Sequence, residues 1–291
     1  MKDSLLTDYK KKEIVKSISK KDYPRIISIL ENIKTVHANT AKTKDKRFVI
    51  SEIVRYILNN SSDKEKDFFN TGTYFCKRNE DVSKEIGISL IWRSYGKYRK
   101  ETESIFLLTA DDPNWEVREY AGVSFAAALN HNDSFYRTLQ KWSKHKSENV
   151  RRAVVISALG YRDAERYRKA FLLLEPLLFD NSKYVRKNLG PFILGSCFGN
   201  KFPEEILKQL KKWGKYRDEN VRWNVIMAFN NSYGNKHPEY AFDVLKMFTG
   251  DIDITVKRAL MSTLNFLGKR HGKEVKKFID KYKLNKDKEV Y

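Results

Sequence analysis

Five cations return at one position of a recurring pattern: Arg118, Arg151, Arg186, Arg222 and Lys257 each directly follow a valine that is itself preceded by an acidic or small polar cluster. Cations at so regular an interval suit two kinds of chemistry. Each can pair with the acidic residue at a neighbouring turn, building a ladder of ion pairs, or each can meet a phosphate along a polyanion. The next position carries a second cation in three instances, Arg152, Lys187 and Arg258, and Trp223 in a fourth. A ladder does not need two cations per turn, so this second set is expected to face phosphates. Between the motifs, Lys141, Lys144, Lys146, Lys211, Lys212, Lys215 and Arg217 cluster around Trp142, Trp213 and Tyr216. Basic and aromatic interleaving suits nucleic acid, but tryptophans recurring with the repeat also suit a core.

Other chemistries lack their signatures. Cys76 and Cys197 form no CxxC pair, and His37, His131, His145, His237 and His271 show no ligand spacing. Neither structural zinc nor a disulfide is expected. The chain has no P-loop, GxSxG, HExxH or DNA-reading zinc finger, which argues against nucleotide hydrolysis, esterase chemistry, zinc proteolysis and finger-type readout. No metal or organic cofactor is expected.

The elements that position these residues can be read from periodicity. Apolar residues recur at three-and-four spacing, as in Ile50-Ile53-Val54-Ile57-Leu58, and only 6 prolines and 13 glycines interrupt 291 residues; the pattern predicts helix after helix. The motif instances are Asn79-Glu-Asp-Val-Ser, Asp112-Pro-Asn-Trp-Glu-Val-Arg, Ser147-Glu-Asn-Val-Arg-Arg, Asp180-Asn-Ser-Lys-Tyr-Val-Arg-Lys, Asp218-Glu-Asn-Val-Arg-Trp and Asp251-Ile-Asp-Ile-Thr-Val-Lys-Arg. Their valines, Val82, Val117, Val150, Val185, Val221 and Val256, are 35, 33, 35, 36 and 35 residues apart, the span of two-helix solenoid repeats. The polar residue is expected to cap a helix, Pro113 to sit in a first turn, and the valine to open the buried stripe of each pair's second helix. The fold expected is an all-α superhelix, a solenoid of HEAT-like two-helix repeats. It is a single domain over 1–291, with an atypical cap over 1–78, regular repeats over 79–280 and a polar tail over 281–291.

Composition sharpens the choice of partner. With 41% apolar residues the chain can bury a large core. Its 57 Lys+Arg against 37 Asp+Glu leave a net charge of +20, which favours a polyanion through phosphate contacts and counterion release. Nucleic acid comes first and an anionic membrane second. Charges at the start of the chain and the absence of any run of about 18 apolar residues predict a cytoplasmic protein, beside the nucleoid if it binds DNA.

At Asp112-Pro-Asn-Trp-Glu-Val-Arg-Glu-Tyr-Ala, Trp142-Ser-Lys-His-Lys-Ser-Glu-Asn-Val-Arg-Arg-Ala and Asp180-Asn-Ser-Lys-Tyr-Val-Arg-Lys-Asn-Leu-Gly, the chain resembles the HEAT-like alkylpurine DNA glycosylases of the AlkD/AlkC type, over roughly residues 80 to 265. The resemblance implies a DNA alkylation-repair enzyme acting on double-stranded DNA, expected as a monomer. It implies a Trp-x-x-x-acid pair at the lesion's sugar, matched by Trp115 and Glu119, and a basic residue in the next repeat, matched by Arg152; a shift of one residue puts Arg118 opposite the acid instead. The family's Gly-Trp reads Gly190-Pro191 here, and further acids expected in the AlkC branch fall on residues such as Ile156. The implied chemistry is sound: an alkylated purine cation is a good leaving group, and a carboxylate stabilises the oxocarbenium-like sugar while holding the attacking water. The competing expectations are a non-catalytic helical-repeat protein that binds nucleic acid, and a pure protein scaffold.

Overall fold

A computed structural model of the chain describes residues 4–37 and 39–284; most of the expected polar tail, 285–291, lies outside the described residues. Among them are seventeen α-helices and no strand, only an isolated antiparallel bridge between Lys34 and Ala41. The protein is all-α and built of successive helix pairs. No described helix is long and apolar enough to cross a membrane. The chain divides into two compact units, 1–142 and 143–291. The division falls between the two helices of one sequence repeat.

The N-terminal unit holds α1 (Asp8–Ser19), α2 (Tyr23–Glu31), α3 (Thr43–Asn60), α4 (Lys64–Cys76), α5 (Asp81–Ile91), α6 (Arg99–Ala110), α7 (Trp115–His131) and α8 (Phe135–Trp142). Helices α3, α5 and α7 pack in succession as one layer, with α4 and α6 adjacent in the other. The approach of α4 to α5 is close: a Cβ on Gly87 would stand 2.6 Å from the Cys76 amide nitrogen, so only glycine fits there. Phe106, Phe125 and Phe135 form an aromatic knot with centroids 4.8 to 5.7 Å apart. Trp142 joins it, 5.3 Å from Phe125.

The C-terminal unit holds α9 (Glu148–Ser157), α10 (Tyr167–Leu174), α11 (Lys183–Asn188), α12 (Pro203–Trp213), α13 (Glu219–Met227), α14 (Ser232–Lys236), α15 (Pro238–Leu245), α16 (Ile254–Gly268) and α17 (Gly272–Tyr282). Helices α9, α11, α13 and α16 form one layer, α11 through its continuation, and α12 packs on α15 in the other. Beyond α11 the chain runs on as a π-helical segment, Leu189–Gly199. Pro191 explains part of that widening, since it has no N–H for the ordinary ladder. Gly190 lets the segment touch α13: its N–H donates to Asn224 Oδ1 at 3.1 Å, and a Cβ would meet the Asn224 carbonyl oxygen at 2.8 Å.

The motifs do locally what their residue types dictate. All six valines are fully buried, each in the first turn of α5, α7, α9, α11, α13 or α16. Asn114, Ser147, Ser182, Asp218 and Asp253 accept first-turn amides as N-caps. At α5, Glu80 holds the cap position without a side-chain bond. Contrary to expectation, Pro113 stands before the cap rather than in the first turn of α7, because Asn114 takes the capping role. Asp112, Asp180 and Asp251 each accept the N–H of the residue two further on, at 2.8 to 2.9 Å, which fixes the turn ahead of the cap.

Candidate functional site

The cations that directly follow the valines are largely engaged within their own units. In the C-terminal unit the Arg151 guanidinium grips Asp180 with two bonds, 2.6 and 3.1 Å, and Arg222 grips Asp251 at 2.7 and 3.3 Å. Arg186 donates to Asn220 Oδ1. Arg151 also donates to the carbonyls of His145 and Lys146, and Arg118, in the N-terminal unit, to those of Asp112 and Pro113, at 2.7 to 2.9 Å. One guanidinium thus ties its own pre-helix turn and, at Arg151 and Arg222, the next repeat's aspartate. Lys84, two residues after Val82, reaches Asp112 at 2.9 Å in the same manner. Lys257, in the last motif, is exposed.

The second position behaves differently from repeat to repeat. Lys187 and Arg258 are exposed and Trp223 is half-buried, with the Arg186 guanidinium 5.3 Å from its ring. Arg152 is withdrawn from the surface: only 4% exposed, it donates to Asn188 Oδ1 at 3.3 Å and lies 4.8 Å from the Tyr184 ring. Ile156, where the resemblance places a further acid, is buried core. Trp213 is also core, its indole N–H donating to Glu175 at 3.1 Å.

Glu119 holds this same second position in its own motif, two residues after Val117, as Lys84, Arg152, Lys187, Trp223 and Arg258 do after theirs. It is the one acid at a place otherwise given to cations and an indole. It lies one helical turn from Trp115 on α7, so both side chains project from the same face. Trp115 is 42% exposed, with the His37 ring against it at 5.6 Å, and Glu119 is half-buried. Trp115 and Glu119 belong to the N-terminal unit and Arg152 to the C-terminal one.

Glu116 and Tyr120, on the same helix, belong to a buried ionic cluster that the residue pattern does not single out. Lys46, on α3 and wholly enclosed, donates to Glu85 of α5 at 2.6 Å, to Glu116 of α7 at 2.8 Å and to Thr40 Oγ1 at 2.8 Å, with the Tyr120 ring 4.9 Å from its Nζ. Burial pushes the Glu85 carboxyl up to about 7; Lys46 pulls against that and the neighbouring Glu116 carboxylate adds to it. Burial also raises the Tyr120 hydroxyl, which stays neutral. One signal was present: Glu85 stands between Val82 and Ile86, on the apolar stripe of its helix. Nothing in the sequence distinguishes Lys46 from the many surface lysines. Among the described residues no group of three or more His, Cys, Asp or Glu is arranged to hold a metal. Cys76 has its thiol pushed far up by burial, the opposite of an activated nucleophile.

No protein-family profile matches the sequence, and neither does any curated protein. Among solved structures, the chain is similar to the X-ray structure of YibA from Escherichia coli at 17% identity and a TM-score of 0.40, over 98% of this chain and 100% of that one.

Proposed function

We propose that the protein binds duplex DNA through phosphates and hydrolyses the N-glycosidic bond of cationic, alkylated bases, with Glu119 and Trp115 at the reacting sugar. The observation that carries this reading is the Trp115–Glu119 face: an exposed indole one turn from the only carboxylate at the motif's second position, on a chain of net charge +20. In the reaction, the bond from C1′ to the base nitrogen breaks with its electron pair leaving on the base, which becomes neutral. The Glu119 carboxylate stabilises the positive charge on the sugar and orients a water whose oxygen bonds to C1′. That water's proton passes to the carboxylate and on to solvent. The indole face packs on the sugar and attracts the cationic lesion. Lys187, Arg258 and Lys257 supply phosphate contacts.

The second reading, a duplex-binding protein without chemistry, is favoured by the burial of Arg152, the basic residue that the first reading would bring to the lesion. Base release from methylated DNA separates the two. The first reading expects release that Glu119→Gln abolishes while binding persists, and the second expects salt-sensitive binding alone.

A further inference from the structure

The loop between α2 and α3 and the first turns of α7 share a single buried anchor. Thr35 N–H donates to the Thr40 carbonyl at 2.9 Å and Asn39 N–H to the Thr35 carbonyl at 3.0 Å, while Lys34 and Ala41 form the bridge that closes the loop. On its inner side Thr40 meets Lys46 and, at 3.2 Å, Glu85 Oε2. On its outer side His37 stands against Trp115, and the neighbouring Val36 is fully exposed. The groups facing Glu85 are Lys46 from α3, Glu116 and Tyr120 from α7, and Thr40 from the loop.

Two carboxylates and one ammonium leave an excess negative charge where water has little access. Such a charge is unfavourable unless a proton removes it. Glu85 Oε1 is buried and has no hydrogen-bond partner among the described residues, so it is the oxygen best placed to carry that proton.

We propose that Lys46, Glu85 and Glu116 form a proton-dependent clamp that fixes Trp115 against the loop bearing His37, with Lys46 the positioning residue of the Trp115–Glu119 face. The positioning role rests on the reading of that face given above; the clamp does not. With Glu85 protonated, Lys46 is balanced by Glu116 and holds Thr40, α5 and α7 together. Loss of the proton leaves uncompensated charge that draws water in and loosens the loop from Trp115.

Acrylamide quenching of Trp115 tests this. It is taken as the difference between the full chain and its W115F variant in an H37Q background, so that the neighbouring imidazole contributes nothing. Quenching is expected to rise with pH around a midpoint near 7. Glu85→Gln and Glu116→Gln should each abolish that midpoint, because either leaves one carboxylate for one ammonium. Lys46→Met should give high quenching at every pH. A flat profile in the parent chain, or the same midpoint in E85Q, would overturn the clamp, and neither of these needs K46M to fold. Duplex binding unchanged by Trp115→Ala would overturn the positioning role, while the quenching profile alone decides the clamp.

Discussion

Replacing Asp180 by alanine removes three bonds at once: those from Arg151 at 2.6 and 3.1 Å and that from the Ser182 amide at 2.8 Å. The pair is mostly enclosed, with side-chain exposures of 19% for Arg151 and 5% for Asp180. Hydrogen bonds to charged groups contribute about 1.5–3 kcal/mol, whereas exposed ion pairs contribute about 0–1 kcal/mol. A bidentate pair between these limits predicts a loss of about 2 kcal/mol for D180A. Arg151 is not stranded, because its Nη1 still donates to the His145 and Lys146 carbonyls, so the loss stays below that of breaking a deeply buried pair. Asp180→Asn should fall between, keeping the amide bond and losing the charge. In a cycle with Arg151→Ala the coupling should be about 1 kcal/mol. Urea denaturation followed by circular dichroism measures both, with Lys97→Ala as control, since Lys97 and its partner Asp63 are exposed. A D180A midpoint indistinguishable from that of K97A would refute the view that these arginines hold the repeats together.

The remaining predictions use other features. Glu85 titrates at about 7 in the fold against about 4.5 as a free side chain, so the folded state keeps a proton that the unfolded chain releases. Stability is therefore fully supported below about 4.5 and declines as pH rises through about 7; thermal melts across that range should show the decline, and E85Q should flatten it. Gly190→Ala forces a Cβ to 2.8 Å from a backbone oxygen of α13 and should lower stability by about 1–3 kcal/mol in denaturant titrations. Reversing Lys187 and Arg258 together should weaken duplex binding and reduce the slope of log K against log salt by about 0.9 for each phosphate no longer neutralised; an unchanged slope would place the phosphate surface elsewhere.

The parts of this protein that were legible in its sequence are those decided locally. A valine at a first turn, a polar cap usually three residues ahead and, in three motifs, an aspartate beyond it act through neighbours in the chain, so their spacing exposed the helix pairs. Pro113 was misplaced by two positions because Asn114, two residues after Asp112, takes the cap. The site was harder. Whether Arg152 projects or folds inward depends on Tyr184 and Asn188, a repeat away in sequence. The Lys46 cluster joins residues 40, 46, 85, 116 and 120, and no periodicity links them. Glu119 shows the converse: its position was in plain view two residues after Val117, but it gains meaning only when the six motifs are superposed.

The most direct test of the account is base release. Purified protein is incubated with methylated duplex DNA, and free bases are followed by chromatography beside Glu119→Gln and a blank without protein. Release by the parent chain should fall to the blank in E119Q, with duplex affinity retained. Equal release by E119Q, or none by either despite tight salt-sensitive binding, would contradict it.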